Sequence, residues 1–163
     1  MQIPYDFLHI VPPQTAPAFV AESPLAASNS FVDVDQYTLR HKKYQNVFGI
    51  GDSANLPTAK TAAGLFSQAP VLVHNLLNQI ERKSLNAAYD GYSSCPLFVG
   101  DKKLMLIEFK YDGKSSETFY SGQTEPNHTF YYMKKEVFPR CYFSLGMKGT
   151  WFGKKNIVKP RFV

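Results

Sequence analysis

The segment VFGIGDSANLPTAKT, residues 47–61, carries the side chains best suited to bind a ligand. Its first residues are small or apolar and typical of a buried strand, and Gly51 would let the backbone approach a ligand closely. Asp52 places a carboxylate at the end of that strand, where open α/β sheets bind cofactors and acidic residues accept hydrogen bonds from sugar hydroxyls. A structural interpretation also stands, because Asp in Gly-Asp-Ser-Ala readily forms an Asx-turn.

A cationic, anion-binding element follows the Gly-Asp pair. Residues 59–63 open a predicted helix, and the free backbone N–H groups and the dipole at its start favour an anion or a polarised carbonyl. Lys60 adds a full positive charge directly before Thr61 and Ala62. This element would suit a ring that develops negative charge, as a flavin does.

Cys95, in the segment YDGYSSCPLF, is the candidate nucleophile. It follows two small hydroxyl residues and precedes Pro96, which predicts a constrained loop. The thiolate is the reactive form of cysteine, although a cysteine taken alone is more often an inert, packed thiol. Cys141 offers no C-x-x-C or His/Cys spacing with it, so the sequence predicts neither a metal site nor a disulfide framework. We interpret Cys141 as structural or incidental.

The elements that must position these residues follow from the pattern of apolar side chains. Residues 5–11 and 46–50 are predicted to be core strands of a parallel sheet, and the first stops at a Pro-Pro pair. Residues 61–80 carry apolar side chains at the spacing of one helix face, with a kink expected at Pro70.

Two hairpins are predicted beside these elements. A short one lies within residues 31–39, where polar and apolar residues alternate. A second turns at Gly100-Asp101 and continues as a strand from Leu104 to Tyr111. A polar loop containing Gly and Pro follows over residues 115–128.

The net charge of +5 comes entirely from the carboxyl-terminal segment. Residues 1–90 hold six Lys and Arg against seven Asp and Glu, residues 91–127 hold four against five, and residues 128–163 hold eight against one. Aromatic residues interleave with these last cations. Such a mixture suits single-stranded nucleic acid, a membrane surface, or an ordinary solvated basic face.

The ends of the chain carry no recognisable targeting pattern. The amino terminus lacks the basic and apolar regions of a signal peptide and the Arg-rich amphipathic pattern of a transit peptide. Because 18 consecutive apolar residues occur nowhere, no membrane-spanning helix is expected.

Several long runs of the sequence resemble one family. VFGIGDSANLPTAKTAAG resembles the second flavin motif of the two-dinucleotide-binding-domain flavoproteins, and its details resemble the eukaryotic, mitochondrial sulfide:quinone oxidoreductases. YDFLHIVPPQTAP, SFVDVDQYTLRHKKYQNVFGIGD and YDGYSSCPLF resemble further stretches of that family, while the last quarter matches more loosely. The resemblance implies an α/β class: a partial FAD/NAD(P)-binding fold with a carboxyl-terminal, membrane-associating helical segment.

The resemblance also implies roles for individual residues. The counterpart of Asp52 lies beside the ribitol chain of FAD, and those of Lys60 to Ala62 lie at the isoalloxazine ring. Gly51 is predicted to bind the cofactor as well, through its backbone. Lys134 resembles a lysine, preceded by Met in relatives, that approaches the flavin or the quinone. Cys95 matches the redox cysteine nearer the flavin, so the resemblance assigns it the flavin-attacking role.

A reaction and its partners follow from the same resemblance. In the family, sulfide attacks a bridge between two cysteines, the sulfur passes as a persulfide to a small thiol such as glutathione, and the electrons pass through FAD to ubiquinone. The resemblance implies peripheral association with the mitochondrial inner membrane, no metal and no nucleic acid. A helix over residues 131–145, kinked at Pro139, and a second helix after Gly153 would reach the bilayer. The candidate quinone-side residues are Phe130, Tyr131, Phe138 and Phe143.

Two features depart from the family pattern. The sequence has no G-x-G-x-x-G opening a βαβ unit, and no cysteine precedes Cys95. The expected organisation is therefore only the carboxyl-terminal portion of such an enzyme. Residues 1–88 would complete an FAD/NAD(P)-binding domain, residues 89–127 would form the redox-cysteine loop and hairpin, and residues 128–163 would form a basic aromatic membrane tail.

Three functions remain open on the sequence alone. The first is a portion of a sulfide:quinone oxidoreductase that is inactive when isolated. The second is a non-enzymatic, truncated remnant that associates with a membrane or binds a partner. The third is part of an NADH:quinone reductase-like flavoprotein, which would have no use for Cys95.

Overall fold

The structure is a computed structural model, and it describes residues 3–151 of the 163-residue chain. It is a small α/β domain with a two-stranded sheet and a few helices. In chain order the helices and strands are α1 (Ala18–Ala21), α2 (Ala62–Ile80), β1 (Ser93–Gly100), β2 (Lys103–Phe109), α3 (His128–Tyr132), a π-helical segment (Met133–Val137), α4 (Phe138–Cys141) and a second π-helical segment (Tyr142–Gly146).

Helix α2 confirms the predicted long helix. Thr61 is its N-cap, because the Thr61 Oγ1 accepts a hydrogen bond from the backbone N–H of Gly64 at 3.0 Å. That bond satisfies one of the donors that a helix start leaves without an intrahelical partner. The helix continues through Pro70 to Ile80.

The buried face of α2 differs from the apolar stripe that the sequence presents. The positions that the core covers include Gly64, Gln68 and Asn75, whereas Leu77 and Ile80 are 54% and 70% exposed. Apolar spacing therefore predicted the helix correctly but did not identify the side that packs inward.

Hydrogen bonds explain why this polar face is buried. The Asn75 amide donates to the carbonyls of Thr38 and Ala87 at 3.0 and 2.9 Å, and its oxygen accepts from the Ala87 N–H at 3.1 Å. Buried polar groups are costly unless they are paired, and here the pairing joins three separate segments. Asn75 thus orients α2 about its axis.

The hairpin of β1 and β2 confirms the second predicted hairpin. The two strands pair antiparallel from Ser93 opposite Phe109 to Gly100 opposite Lys103, with an irregularity between Phe98 and Gly100. Side chains alternate between the two faces of the hairpin. One face packs on Phe130 and buries Leu104, Leu106 and Glu108, and the opposite face is half-exposed.

The predicted parallel sheet is wrong for the part of the chain that the structure describes. Residues 5–11 form no ladder, and Phe7 is 87% exposed. Residues 46–50 contribute only an isolated bridge, between Arg40 and Phe48. A strand needs hydrogen-bonded neighbours on the sheet, and within residues 3–151 these two segments do not find them. Residues 31–39 likewise fold back through isolated bridges and form no regular hairpin.

One main core holds the early and middle parts of the chain together. It joins Val34, Leu39 and Ala54 to Tyr89 and Tyr111, with further members at Val20, Val32, Leu56 and Tyr92. The turn at Gly51, the start of α2 and the start of β1 are therefore fixed relative to one another.

The carboxyl-terminal segment is helical over residues 128–146, which agrees with the predicted first helix, although two of its four parts are π-helical. None of the helices within residues 3–151 has the length and apolarity needed to cross a membrane. The predicted second helix after Gly153 lies outside the described residues, as do Phe152, Lys154, Lys155, Lys159 and Arg161.

Candidate functional site

The Gly-Asp turn is a single 3₁₀ turn, Gly51–Ser53, that is attached to α2. Gly51 has a φ of 67°, a left-handed conformation that favours glycine. Its N–H donates to the Gln68 Oε1 at 2.7 Å, so the turn is fastened to the polar face of α2. The Asp52 side chain remains exposed and able to accept hydrogen bonds from a ligand.

Lys60 lies close to this turn and is partly committed to the protein itself. Its Nζ donates to the carbonyl of Ala54 at 2.7 Å and lies 4.1 Å from the centroid of the Phe31 ring. Burial lowers the pKa of Lys60, and the nearby Asp52 charge opposes that shift. Lys60 thus supplies positive charge to the site while one of its donors holds the backbone.

A hydroxyl pair joins the start of α2 to the start of β1. The Oγ atoms of Thr61 and Ser93 lie 2.8 Å apart, and the Ser93 hydroxyl also lies 3.2 Å from the Ala59 carbonyl, to which it donates. Ala62, at the first turn of α2, is exposed. Its N–H is among those that a helix start leaves without an intrahelical partner, so it is available to a ligand.

Cys95 lies within β1, which corrects the predicted loop. It pairs with Ile107 across the hairpin and is half-buried. Pro96 does not prevent this, because proline is compatible with a strand at a sheet edge, where its missing N–H costs no ladder bond. Because strand side chains alternate, Cys95 shares the face of Ser93, about 7 Å further along the strand.

The structure therefore brings together most of the predicted site residues. Gly51 and Asp52 lie on the turn, and Lys60 to Ala62 lie at the adjoining helix start. Cys95 lies on the strand that this helix start contacts through Ser93. Lys134 is on a separate element, the π-helical segment Met133–Val137, and is half-buried there.

The Gly51–Ser53 turn, the start of α2 and the start of β1 meet at one place, here called the junction. Sequence reasoning missed three residues that build it. Gln68 and Ser93 make its hydrogen bonds, and Phe66 carries its aromatic side. Phe66 stacks on Trp151 with ring centroids 5.4 Å apart and meets the edge of Tyr142 at 6.2 Å. The signal for Ser93 was present in the Ser-Ser pair before Cys95, whereas nothing local distinguishes Gln68 or Phe66.

Phe130, predicted to line a quinone site, is a core residue instead. It is buried against Leu104 and Leu106, and its ring stacks on Tyr120 at 5.6 Å between centroids. A ring enclosed in this way supports the hairpin and is not available as a ligand-facing wall.

Two buried tyrosines, Tyr89 and Tyr92, make hydrogen bonds close to the junction. The Tyr89 hydroxyl donates to the Tyr92 carbonyl at 2.6 Å, and burial raises the pKa of Tyr89 to about 12. The Tyr92 hydroxyl donates to Glu108, which also accepts from the Gln123 amide at 2.6 Å. Burial, then the Glu108 carboxylate, raise the pKa of Tyr92. These bonds hold β2 and the loop after it in place.

We expect Tyr89 to make folding stability fall at high pH. An unfolded tyrosine titrates near pH 10, whereas the folded Tyr89 has a pKa of about 12. Its contribution is present below pH 10 and is lost as the pH rises to 12, on the order of 2 kcal/mol. Denaturant unfolding at several pH values should show a flatter decline in Tyr89→Phe than in the wild type. Equal declines above pH 10 would contradict this prediction.

Residues 3–151 contain no grouping of three or more His, Cys, Asp and Glu side chains that could hold a metal ion.

Comparison with known proteins finds relatives over nearly the whole chain. No protein-family model matches the sequence. The chain is similar to the mitochondrial sulfide:quinone oxidoreductases of Schizosaccharomyces pombe, Dictyostelium discoideum and Mus musculus, at 44%, 45% and 44% identity. These matches cover 98%, 97% and 96% of the chain but only 36%, 35% and 35% of the relatives. The chain therefore spans about a third of the length of the curated relatives it matches.

A solved structure gives a similar result. A chain of the cryo-EM structure of the Tetrahymena thermophila mitochondrial ATP synthase, an F1Fo composite tetramer, matches with a TM-score of 0.73 and 28% identity. The match covers 91% of this chain and 34% of that one. The fold therefore recurs as part of a larger chain.

These three relatives are named as oxidoreductases, and each of them matches almost every residue of the chain. Over the third of their length that it spans, the chain is similar to the mitochondrial sulfide:quinone oxidoreductases. The resemblance that the sequence motifs indicated is thus confirmed.

Proposed function

We propose that this chain is the part of a mitochondrial, FAD-dependent sulfide:quinone oxidoreductase that carries the second flavin motif and the flavin-facing cysteine. The observation that carries the proposal is the 2.8 Å contact between the hydroxyls of Thr61 and Ser93. It holds the helix start next to Asp52 against the strand that bears Cys95, as a shared redox site requires.

The residues at the junction fit a flavin. Asp52 presents an exposed carboxylate for ribitol hydroxyls, and Gly51 lets the backbone come close because it has no Cβ. Ala62 offers a helix-start N–H to the polar edge of the ring, and Lys60 adds positive charge nearby. FAD, when bound, would supply a two-electron acceptor at this place.

Cys95 is proposed as the thiol that faces this acceptor. Its side chain is half-buried on β1 and lies on the same face of the strand as Ser93. In the overall reaction sulfide gives up two electrons and its sulfur ends on a thiol acceptor such as glutathione as a persulfide. Ubiquinone takes up the two electrons together with two protons. The second cysteine of the bridge would be supplied by a part of the enzyme that this chain does not span.

The aromatic side of the junction is proposed to guide the quinone. Phe66, Tyr142 and Trp151 form an aromatic cluster where the carboxyl-terminal helical segment contacts α2. Phe143 is exposed and Lys134 half-buried on the same helical segment. The proposed organisation has three parts, residues 1–88, 89–127 and 128–163. The third part would associate peripherally with the mitochondrial inner membrane.

The isolated chain is proposed to be inactive. The exposed stripe of α2 and the exposed residues 3–11 are apolar surfaces of the kind that pack against further structure. The curated relatives are about three times as long as the chain, so the remaining part of such an enzyme would supply that structure.

A chimeric enzyme tests the function. In it, this chain replaces the matching third of the Schizosaccharomyces pombe relative. We expect the purified chimera to retain FAD, seen by its absorption, and to reduce a quinone analogue when sulfide is added. The isolated chain, mixed with FAD, should do neither. A chimera that retains FAD but shows no sulfide-dependent reduction would refute the proposed function.

A non-enzymatic, partner-binding role is the second candidate. The observation that favours it is the similar fold found in a chain within the structure of a large mitochondrial assembly. Under this alternative the chimera would fold and bind FAD without sulfide activity, and the exposed face of α2 would bind a protein partner.

A further inference from the structure

We propose that the hairpin tip, defined as residues 97–103, is a second membrane-contact site that binds the surface of an anionic lipid bilayer. The proposal rests on the proposed function, because an enzyme that reduces a membrane quinone must meet the bilayer. It adds a contact that lies outside the carboxyl-terminal segment.

Three adjacent apolar side chains are exposed at this tip. Leu97, Phe98 and Val99 are 46%, 56% and 46% exposed. Regular alternation along a strand would turn every second side chain toward the core, but the pairing is irregular between Phe98 and Gly100. Single exposed apolar residues are ordinary, whereas a contiguous group at a projecting turn is typical of an interaction surface.

The tip is held firmly against the carboxyl-terminal helical segment. The His128 Nδ1 and the Lys102 carbonyl lie 2.9 Å apart, and the backbones of Leu104 and Asn127 exchange hydrogen bonds of 3.0 and 3.1 Å. The Phe98 ring meets the edge of Tyr131 with centroids 5.6 Å apart. The tip therefore has a defined place beside the first turn of that segment.

Further exposed apolar residues lie along the helical segment. Phe143 and Met147 are among the most exposed large apolar residues there, and the set comprises Tyr132, Val137, Tyr142, Phe143 and Met147. Aromatic and aliphatic side chains of this kind settle at the headgroup level of a bilayer. The tip and the helical segment would thus meet the bilayer as one surface.

The charges identify the occupant as an anionic surface. Residues 97–103 and 128–151 contain six Lys and Arg, namely Lys102, Lys103, Lys134, Lys135, Arg140 and Lys148, against two acids, Asp101 and Glu136. Lysines next to inserted apolar side chains suit anionic lipid headgroups. Single-stranded nucleic acid would need rings for base stacking, and of the three apolar tip residues only Phe98 has one.

Vesicle flotation of the full chain tests the proposal. The probes are phosphatidylcholine vesicles with and without phosphatidylserine. The tip variant, Leu97→Ser/Phe98→Ser/Val99→Ser, should bind about tenfold more weakly than the wild type. The matched control, Leu76→Ser/Leu77→Ser/Ile80→Ser, removes three exposed apolar side chains from α2 and should keep wild-type binding. Lys102→Gln/Lys103→Gln should lose about tenfold in its preference for phosphatidylserine.

The outcomes are decisive in either direction. Equal binding by the tip variant and the wild type, or equal losses in the tip and α2 variants, would overturn the proposal. So would a wild type that binds single-stranded DNA and no vesicles. If circular dichroism shows that the triple variant is unfolded, Val99→Ser, which keeps the ring contact of Phe98, should still weaken vesicle binding a few-fold.

The failure of this proposal is distinguishable from failure of the proposed function. A chimeric enzyme carrying the tip variant should still reduce a water-soluble, short-chain quinone with sulfide at the wild-type rate. Loss of sulfide activity in the unmodified chimera, with vesicle binding intact, would refute the function and leave the membrane contact standing.

Discussion

Cys95→Ser in the chimeric enzyme is expected to lower sulfide-driven quinone reduction by roughly a thousandfold or more while FAD remains bound. Serine keeps the size of the side chain on β1, so the pairing with Ile107 should persist. Its hydroxyl, however, cannot form the bridge with the second cysteine or attack the flavin as a thiolate, and removal of a nucleophile costs most of the catalysis it provides. The measurements are the sulfide-dependent rate and the FAD absorption of the purified protein.

Cys141→Ser is the matched control. Both cysteines are free and half-buried, but Cys141 lies in α4 and not on the hairpin. Its variant should keep close to the wild-type rate. A Cys95→Ser enzyme with normal sulfide activity would refute the redox assignment. If NADH reduced the flavin while sulfide failed in the unmodified chimera, the NADH:quinone reductase-like alternative would be favoured.

Gly91→Ala is expected to lower the free energy of unfolding by about 3 kcal/mol or more, enough to unfold a marginally stable domain. Gly91 has a φ of 84°, and a Cβ there would lie 2.4 Å from ring atoms of Tyr111 and 2.5 Å from its backbone N. Tyr111 cannot easily yield, because its hydroxyl donates to the Gln36 carbonyl at 2.6 Å and its ring meets Tyr37 and Tyr89. Urea unfolding followed by circular dichroism measures the loss.

Gly100→Ala is the matched control, and it distinguishes the destabilising effect of steric overlap from that of backbone strain. Gly100 also has a positive φ, 93°, but a Cβ there would have no atom within 4 Å. The expected cost is about 1 kcal/mol, from the left-handed backbone alone. Equal losses in the two variants would show that the contact of Gly91 with Tyr111 does not limit stability.

The success of the sequence-based predictions depended on how local each feature is. Helix α2 and the β1–β2 hairpin were predicted because the apolar spacing over residues 61–80 and the Gly100-Asp101 turn act within a few residues. The strands predicted at residues 5–11 and 46–50 were wrong. Apolar, β-branched runs indicate only that a segment can pair, and pairing needs partner strands that residues 3–151 do not provide.

In the candidate site, too, the local features could be predicted from the sequence and the contacts between distant residues could not. The motif around Asp52, with Lys60 and Cys95, was recognisable as a sequence of residue types. The contacts of Gln68 with Gly51 and of Ser93 with Thr61 were not, because each joins residues far apart in the chain.

The sequence by itself determined the family resemblance, the long helix and the hairpin, since motifs and hydrophobic periodicity are properties of neighbouring residues. Only the tertiary structure decided that α2 turns Gln68 and Asn75 inward and that Cys95 lies on a strand beside the helix start. The reason is physical: a buried amide or a strand is stabilised by partners from distant segments, and folding alone brings those partners together.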